Sequence, residues 1–113
     1  MPHYTLHLTP EEYFTSTDPN EDYLPPAFDE EGFIHCTDGA EEMANTANRH
    51  YSGDERAFLV LVLDRDQIVA PVTVEDRRGI YPHIQGPLNR SAIVAVLPMP
   101  RAADGRFLPP VAP

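Results

Sequence analysis

The chain has no lysine. All eight of its basic residues are arginine, against eighteen acidic residues in 113. Without lysine there can be no Schiff-base amine, no Walker-type phosphate loop and no lysine general base. A single cysteine, Cys36, excludes an internal disulfide and every cysteine-rich zinc motif. A lone cysteine is by default a small buried hydrophobe. Its sequence neighbour His35 would point to the opposite face of a strand, so no base stands ready to make Cys36 a nucleophile. No apolar run approaches the ~20 residues that cross a bilayer. The formal charge of −10 repels nucleic acid and anionic membranes at long range, so neither is expected as a partner. No HExxH pair, Gly-rich nucleotide fingerprint or GxSxG elbow is present. Metal is therefore not expected, although His7, His35 and His83 could in principle meet as three ligands.

Hydrophobic residues make up 42% of the sequence, enough for the core of one domain spanning 1–113. The opening segment MPHYTLHLTPEEY shows no cationic stretch followed by an apolar block, so a soluble, cytoplasmic protein is expected. Residues 3 to 9, HYTLHLT, alternate cleanly and read as a half-buried strand, with Tyr4, Leu6 and Leu8 on one side and Thr5, His7 and Thr9 on the other. TPEEYF reads as a short helix with Thr9 as N-cap. GFIHCT reads as a second strand, with Phe33, His35 and Thr37 on one face and Ile34 and Cys36 on the other. A helix carrying Met43, Ala47 and Tyr51 follows, capped by Thr37 or Asp38 and ending before Gly53. RAFLVLVLD is unbroken apolar, as in a central strand covered on both faces. APVTVEDR is a further short strand, RGIYPHIQGPLNR a shaped loop, and SAIVAVLPMP the last clear strand. Residues 101–113 form a small hairpin and a proline-rich tail. Five or six strands with two main helices make an α+β fold.

Few residues carry chemistry. On pattern alone His7 faces either water or a lined cavity. His35 shares its face with Phe33 and is either a satisfied core histidine or part of a site. His83 sits in the Pro/Gly-rich loop YPHIQGPLN, well held to touch a ligand or turned back on its own backbone. Glu75 ends a strand, as a base, a hydroxyl acceptor or a solvated residue. Arg90 follows the loop and is the nearest candidate for holding an anion.

YTLHLTPEEY, YLPPAFDEEGFIHCT, ANRHYSG, FLVLVLD, VTVED, YPHIQGPLNRSAIVAVLPMP and DGRF together resemble the bacterial family called domain of unknown function 952. EEGFIHCT and PHIQGPL are the most specific segments, close to that family's EGFIHCS and PHLYGPL. Two positions depart from it: Tyr13 stands where the family carries tryptophan, and Gln85 where it carries an aromatic residue. The resemblance implies an ADP-ribosyltransferase-like fold, a split and bent antiparallel-rich sheet holding NAD in a central cleft. It implies a transferase that breaks the nicotinamide–ribose bond toward an oxocarbenium ion, mainly by orienting the ribose and stabilising charge. Catalytic roles would fall to His35, His7, His83 and Glu75. Thr37, Thr9, Tyr13, Pro82, Gln85, Gly86 and Arg90 would contact the ligand. The competing expectations are a metabolite-converting enzyme, a cyclase or isomerase that has lost NAD, with His35 and His83 as acid and base, and a non-catalytic binding module. The sequence does not give the substrate or the oligomeric state.

Overall fold

Phe58–Asp64 (FLVLVLD) forms strand β3, and the rest of the chain is arranged about it. Val60, Leu61 and Leu63 are wholly buried, each worth ~1.5–3 kcal/mol relative to exposure. A strand apolar on both faces gains this only in the middle of a sheet, with layers above and below. The computed structural model, which describes residues 3–112, places it there. β1 (Tyr4–Pro10) and β6 (Ile93–Pro98) flank β3 in an antiparallel sheet of order β1-β3-β6. On one side of β3, Phe58, Val60 and Val62 pack with Met43, Ala44 and Ala47 of helix α3 (Ala40–Tyr51). On the other, Leu61 and Leu63 pack with Ile34, Cys36, Ile84, Leu88 and Tyr23.

That second group belongs to another antiparallel sheet, order β2-β5-β4, made of β2 (Ile34–His35), β4 (Val72–Thr73) and β5 (His83–Ile84). Main-chain pairing joins the two sheets at a bridge: Leu6 N–H donates to the Thr37 carbonyl at 3.0 Å, and Thr37 N–H donates to that of Leu6 at 2.8 Å. The fold is α+β with a split antiparallel sheet. The C-terminal segment turns back through a bridge between Arg101 and Phe107, and Phe107 enters the α3-side core. Met1, Pro2 and Pro113 lie outside the described residues, including the last residue of the expected tail.

Four expectations change. β1 is not half-buried: Thr5, His7 and Thr9 are as buried as Leu6, because the second sheet covers the polar face. Thr9 does not cap a helix. The strand runs to Pro10, α1 (Glu11–Ser16) starts there without a side-chain cap, and the Thr9 hydroxyl is 3.0 Å from that of buried Tyr23. α3 is preceded by Gly39 at φ 91° rather than capped by Thr37 or Asp38. The stretch read as a loop contains β5, and a helical turn, α2 (Phe28–Glu31), precedes β2.

Candidate functional site

The register of the second sheet separates its side chains into two rows. Ile34, Ile84 and Val72 stand opposite one another, and so do His35, His83 and Thr73. Ile34 and Ile84 are fully buried, so alternation turns the histidine row outward. The tight chain reversal before β2 supplies more. α2 ends at Gly32 in a left-handed conformation, φ 78°, which glycine adopts at little cost. This bend brings Glu31 back over His35, where its carboxylate oxygen lies 2.8 Å from His35 Nε2. Phe33 stacks on His83 with ring centres 4.2 Å apart and planes 16° apart, and the His35 ring meets both edge-on, 4.7 Å from Phe33 and 5.3 Å from His83. The His35 side chain is 58% exposed and that of Glu31 37%. A carboxylate-held imidazole beside an aromatic stack can accept or deliver a proton at Nδ1 and present flat apolar surface to a planar ring.

Beneath this face lies His7, almost wholly buried. Its Nδ1 is 2.7 Å from the backbone carbonyl of His35 and its Nε2 2.9 Å from the Tyr23 hydroxyl. A carbonyl only accepts, so Nδ1 carries the hydrogen; Nε2 then accepts from Tyr23, whose oxygen is left to accept from Thr9. Burial pushes the His7 pKa from 6.5 down to about 4; the bond to the His35 carbonyl opposes that shift and the His35 charge adds to it. Burial likewise raises the Tyr23 hydroxyl, and burial with nearby Asp38 raises the Cys36 thiol. His7 is thus a neutral, internally bonded strut, and the two imidazoles do not share the expected cleft: His7 bonds to the His35 main chain while the His35 ring stands exposed beside Glu31.

The other expected residues scatter. Thr37 is buried at the seam between the sheets, and Pro82 is buried with its carbonyl accepting from Cys36 N–H. Gly86 is closely packed: a Cβ there would lie 3.1 Å from that of Ala70, which would have to give by a few tenths of an ångström. Gln85 donates to the Thr73 hydroxyl at 2.9 Å on the outward face. Tyr13 donates to the Leu24 carbonyl and meets Tyr23 edge-on. Arg90 is engaged by the protein itself: its guanidinium holds the Glu21 and Asp18 carbonyls and the Thr17 hydroxyl and lies over the rings of Phe14 and Tyr23. Glu75 stands exposed two residues past β4. The expected enclosed pocket is an open face. Two hollows among the described residues lie elsewhere, one of about 610 Å³ lined by His50, Tyr51, Asp54 and Arg56, the other of about 290 Å³ between Glu11, Glu12 and Arg56.

The family model described as a protein of unknown function, DUF952, matches residues 8–96. The chain belongs to the DUF952 family. Two crystal structures of protein CC0527 from Caulobacter crescentus, one of them a double mutant, share the fold of this DUF952 chain. Each superposes with a TM-score of 0.77 at 18% identity over 94% of both chains. No curated protein matches. The DUF952 match runs from Leu8 in β1 to Val96 in β6; it contains the second sheet and the outward histidine face and leaves His7 just outside. Glu31 and Tyr23 are the members of this face and its support that the pattern does not reveal; Phe33 is expected beside His35, though without a role in the site. The Glu31–His35 spacing of four was visible, but a strand reading hides it, because only the bend at Gly32 folds one residue onto the other.

Proposed function

We propose that this DUF952 protein is a small-molecule enzyme working at the outward face of the second sheet. His35 acts as the acid–base group, Glu31 orients it, and Phe33 with His83 forms the ring-binding surface. The observation that carries the proposal is the 2.8 Å pairing of an exposed imidazole with a carboxylate beside an open aromatic stack. Exposed ion pairs add little to stability, ~0–1 kcal/mol, so a structural role explains it poorly.

The ligand class we infer is a nicotinamide nucleotide of the NAD type, which makes the protein an ADP-ribosyltransferase-like transferase. NAD would supply the nicotinamide–ribose bond, the bond a transferase of this kind breaks. The face suits that end of the molecule. A cationic nicotinamide ring is attracted both to an aromatic face and to the Glu31 carboxylate. His35 Nδ1 and the Gln85 amide offer hydrogen bonds to ribose hydroxyls or the carboxamide. His7 contributes by holding the His35 backbone rather than by touching ligand.

A second reading, acid–base conversion of a metabolite without NAD, is favoured by one observation: Arg90, the expected anion holder, is occupied by three main-chain and hydroxyl partners. His35 and His83 then serve as acid and base across 5.3 Å between ring centres. Titration with NAD by calorimetry, with His35→Ala alongside, separates the readings. A heat signal lost in the variant supports the transferase; silence in the wild type overturns it.

A further inference from the structure

The outward row of the second sheet extends beyond the histidines. Tyr81, His83 and Gln85 are at least partly open to solvent while Pro82, Ile84 and Gly86 between them are buried. The β2–β5 pairing continues past the ladder, with Cys36 N–H on the Pro82 carbonyl and Asp38 N–H on that of Ile80. Tyr81 therefore faces the same way as His83, with Cα atoms roughly 7 Å apart along an extended chain. The Asp76 carboxylate fixes its position by accepting from the N–H groups of Ile80 and Tyr81, each at 3.0 Å. The Tyr81 hydroxyl in turn accepts from Arg49 Nη2 at 3.2 Å, which draws a guanidinium from the last turn of α3 to this end of the face.

Arg49, like Arg65, Arg77 and Arg106, has no carboxylate partner among the described residues, and it is the one of these four bonded to the outward row. Arg56 and Arg78 are bonded to carboxylates, at 2.6 and 2.9 Å, and Arg90 and Arg101 are spent on main-chain carbonyls. Among the described residues the exposed Arg49 bonds only to a neutral hydroxyl. The nearby carboxylate of Glu42 is taken by Arg78. The helix dipole accounts for a cation at the end of α3 but not for its attachment to the sheet. In a chain of net charge −10, Arg49 brings a guanidinium free of a carboxylate bond to the end of a row of ring-binding and hydrogen-bonding side chains, with the Glu42 and Asp76 carboxylates nearby already bonded to Arg78 and to main-chain N–H groups.

We infer that Arg49 and Tyr81 form an anion subsite for a phosphate group of the ligand whose ring lies on Phe33 and His83. The inference rests on the proposed function and adds to it that the substrate is a phosphorylated, ring-bearing molecule. A guanidinium fork suits phosphate oxygens, and the Tyr81 hydroxyl can donate to them once Arg49 bonds to the phosphate.

The test titrates the full chain with nicotinamide mononucleotide and with nicotinamide riboside, which differ by one phosphate, using calorimetry and NMR of the histidine rings. The mononucleotide is expected to bind about tenfold tighter, with the gap narrowing as salt is raised. The gap should close in Arg49→Gln and partly return in Arg49→Lys. It should persist in Arg106→Gln, which removes the same charge from an exposed position outside the row. Equal binding of the two compounds to the wild type, or a gap that survives Arg49→Gln, overturns the subsite. His35→Ala separates this from the underlying reading. If that variant weakens both compounds alike, the ring site stands whatever Arg49 does. If it changes neither while Arg49→Gln still abolishes the gap, the subsite stands and the ring site falls. No binding of either compound at millimolar concentration overturns both.

Discussion

The ring of His7 donates from Nδ1 to the main-chain carbonyl of His35 across 2.7 Å. A buried side chain on the first sheet thereby holds the backbone of the exposed one on the second. The two histidines lie on opposite sides of the β2 backbone and do different work, His7 as a strut and His35 as a surface group.

Removing the strut should destabilise the fold. His7→Ala removes the side-chain partner of the His35 carbonyl, leaves the Tyr23 hydroxyl with Thr9 alone and opens a void, at a cost of about 2–4 kcal/mol. His7→Asn places an amide N–H where Nδ1 was and should cost roughly half as much. Urea unfolding midpoints, compared at constant slope, measure both.

The same residue makes stability depend on pH. The folded pKa of about 4 lies below the unfolded 6.5, so folding favours neutral His7. Its full contribution is present above pH 6.5, declines as the pH falls, and is gone below about 4. The shift corresponds to about 3 kcal/mol. His7→Asn should flatten that part of the stability profile, and a profile equally steep in the variant would assign the slope to other groups.

Glu31→Gln should separate function from stability. The pair is exposed, so the unfolding free energy should change by less than ~0.5 kcal/mol. With the carboxylate replaced by a neutral amide, the His35 ring keeps only a weaker, uncharged acceptor and the face loses an attraction for a cationic ring. Binding of nicotinamide mononucleotide should weaken severalfold at unchanged stability.

Cys36 should be inert in the native state. It is buried in the core between the sheets, with its thiol pushed up by burial, and only the thiolate reacts. A thiol reagent should label it at the rate of global opening, and in urea at once; rapid labelling of the native protein would place it in contact with solvent.

Much of the architecture was legible in local pattern. FLVLVLD reads as a doubly covered strand because seven consecutive residues without an exposed polar position admit little else, and it is the centre of the first sheet. The period of Met43 and Ala47 marks the inner face of α3, and the turn residues near Asp104 mark the final hairpin. The two-residue strands β2 and β4 lie inside stretches that read as strands, whereas β5 lies in one that reads as a loop, because two residues among prolines and glycines carry too short a pattern to announce a strand. Their existence depends on partners distant in sequence.

The sequence by itself determined which segments must be buried, that the chain is acidic and without lysine chemistry, and that histidines stand in its two most distinctive motifs. Periodicity and composition are local properties, and these conclusions need nothing more. Tertiary structure alone decided which histidine faces solvent. His7 and His35 both occupy strand positions of mixed polarity, and only the second sheet lying over β1 buries one while the bend at Gly32 brings Glu31 to the other. That choice depends on contacts between residues 28 apart and on a backbone reversal, neither of which the spacing of residue types encodes.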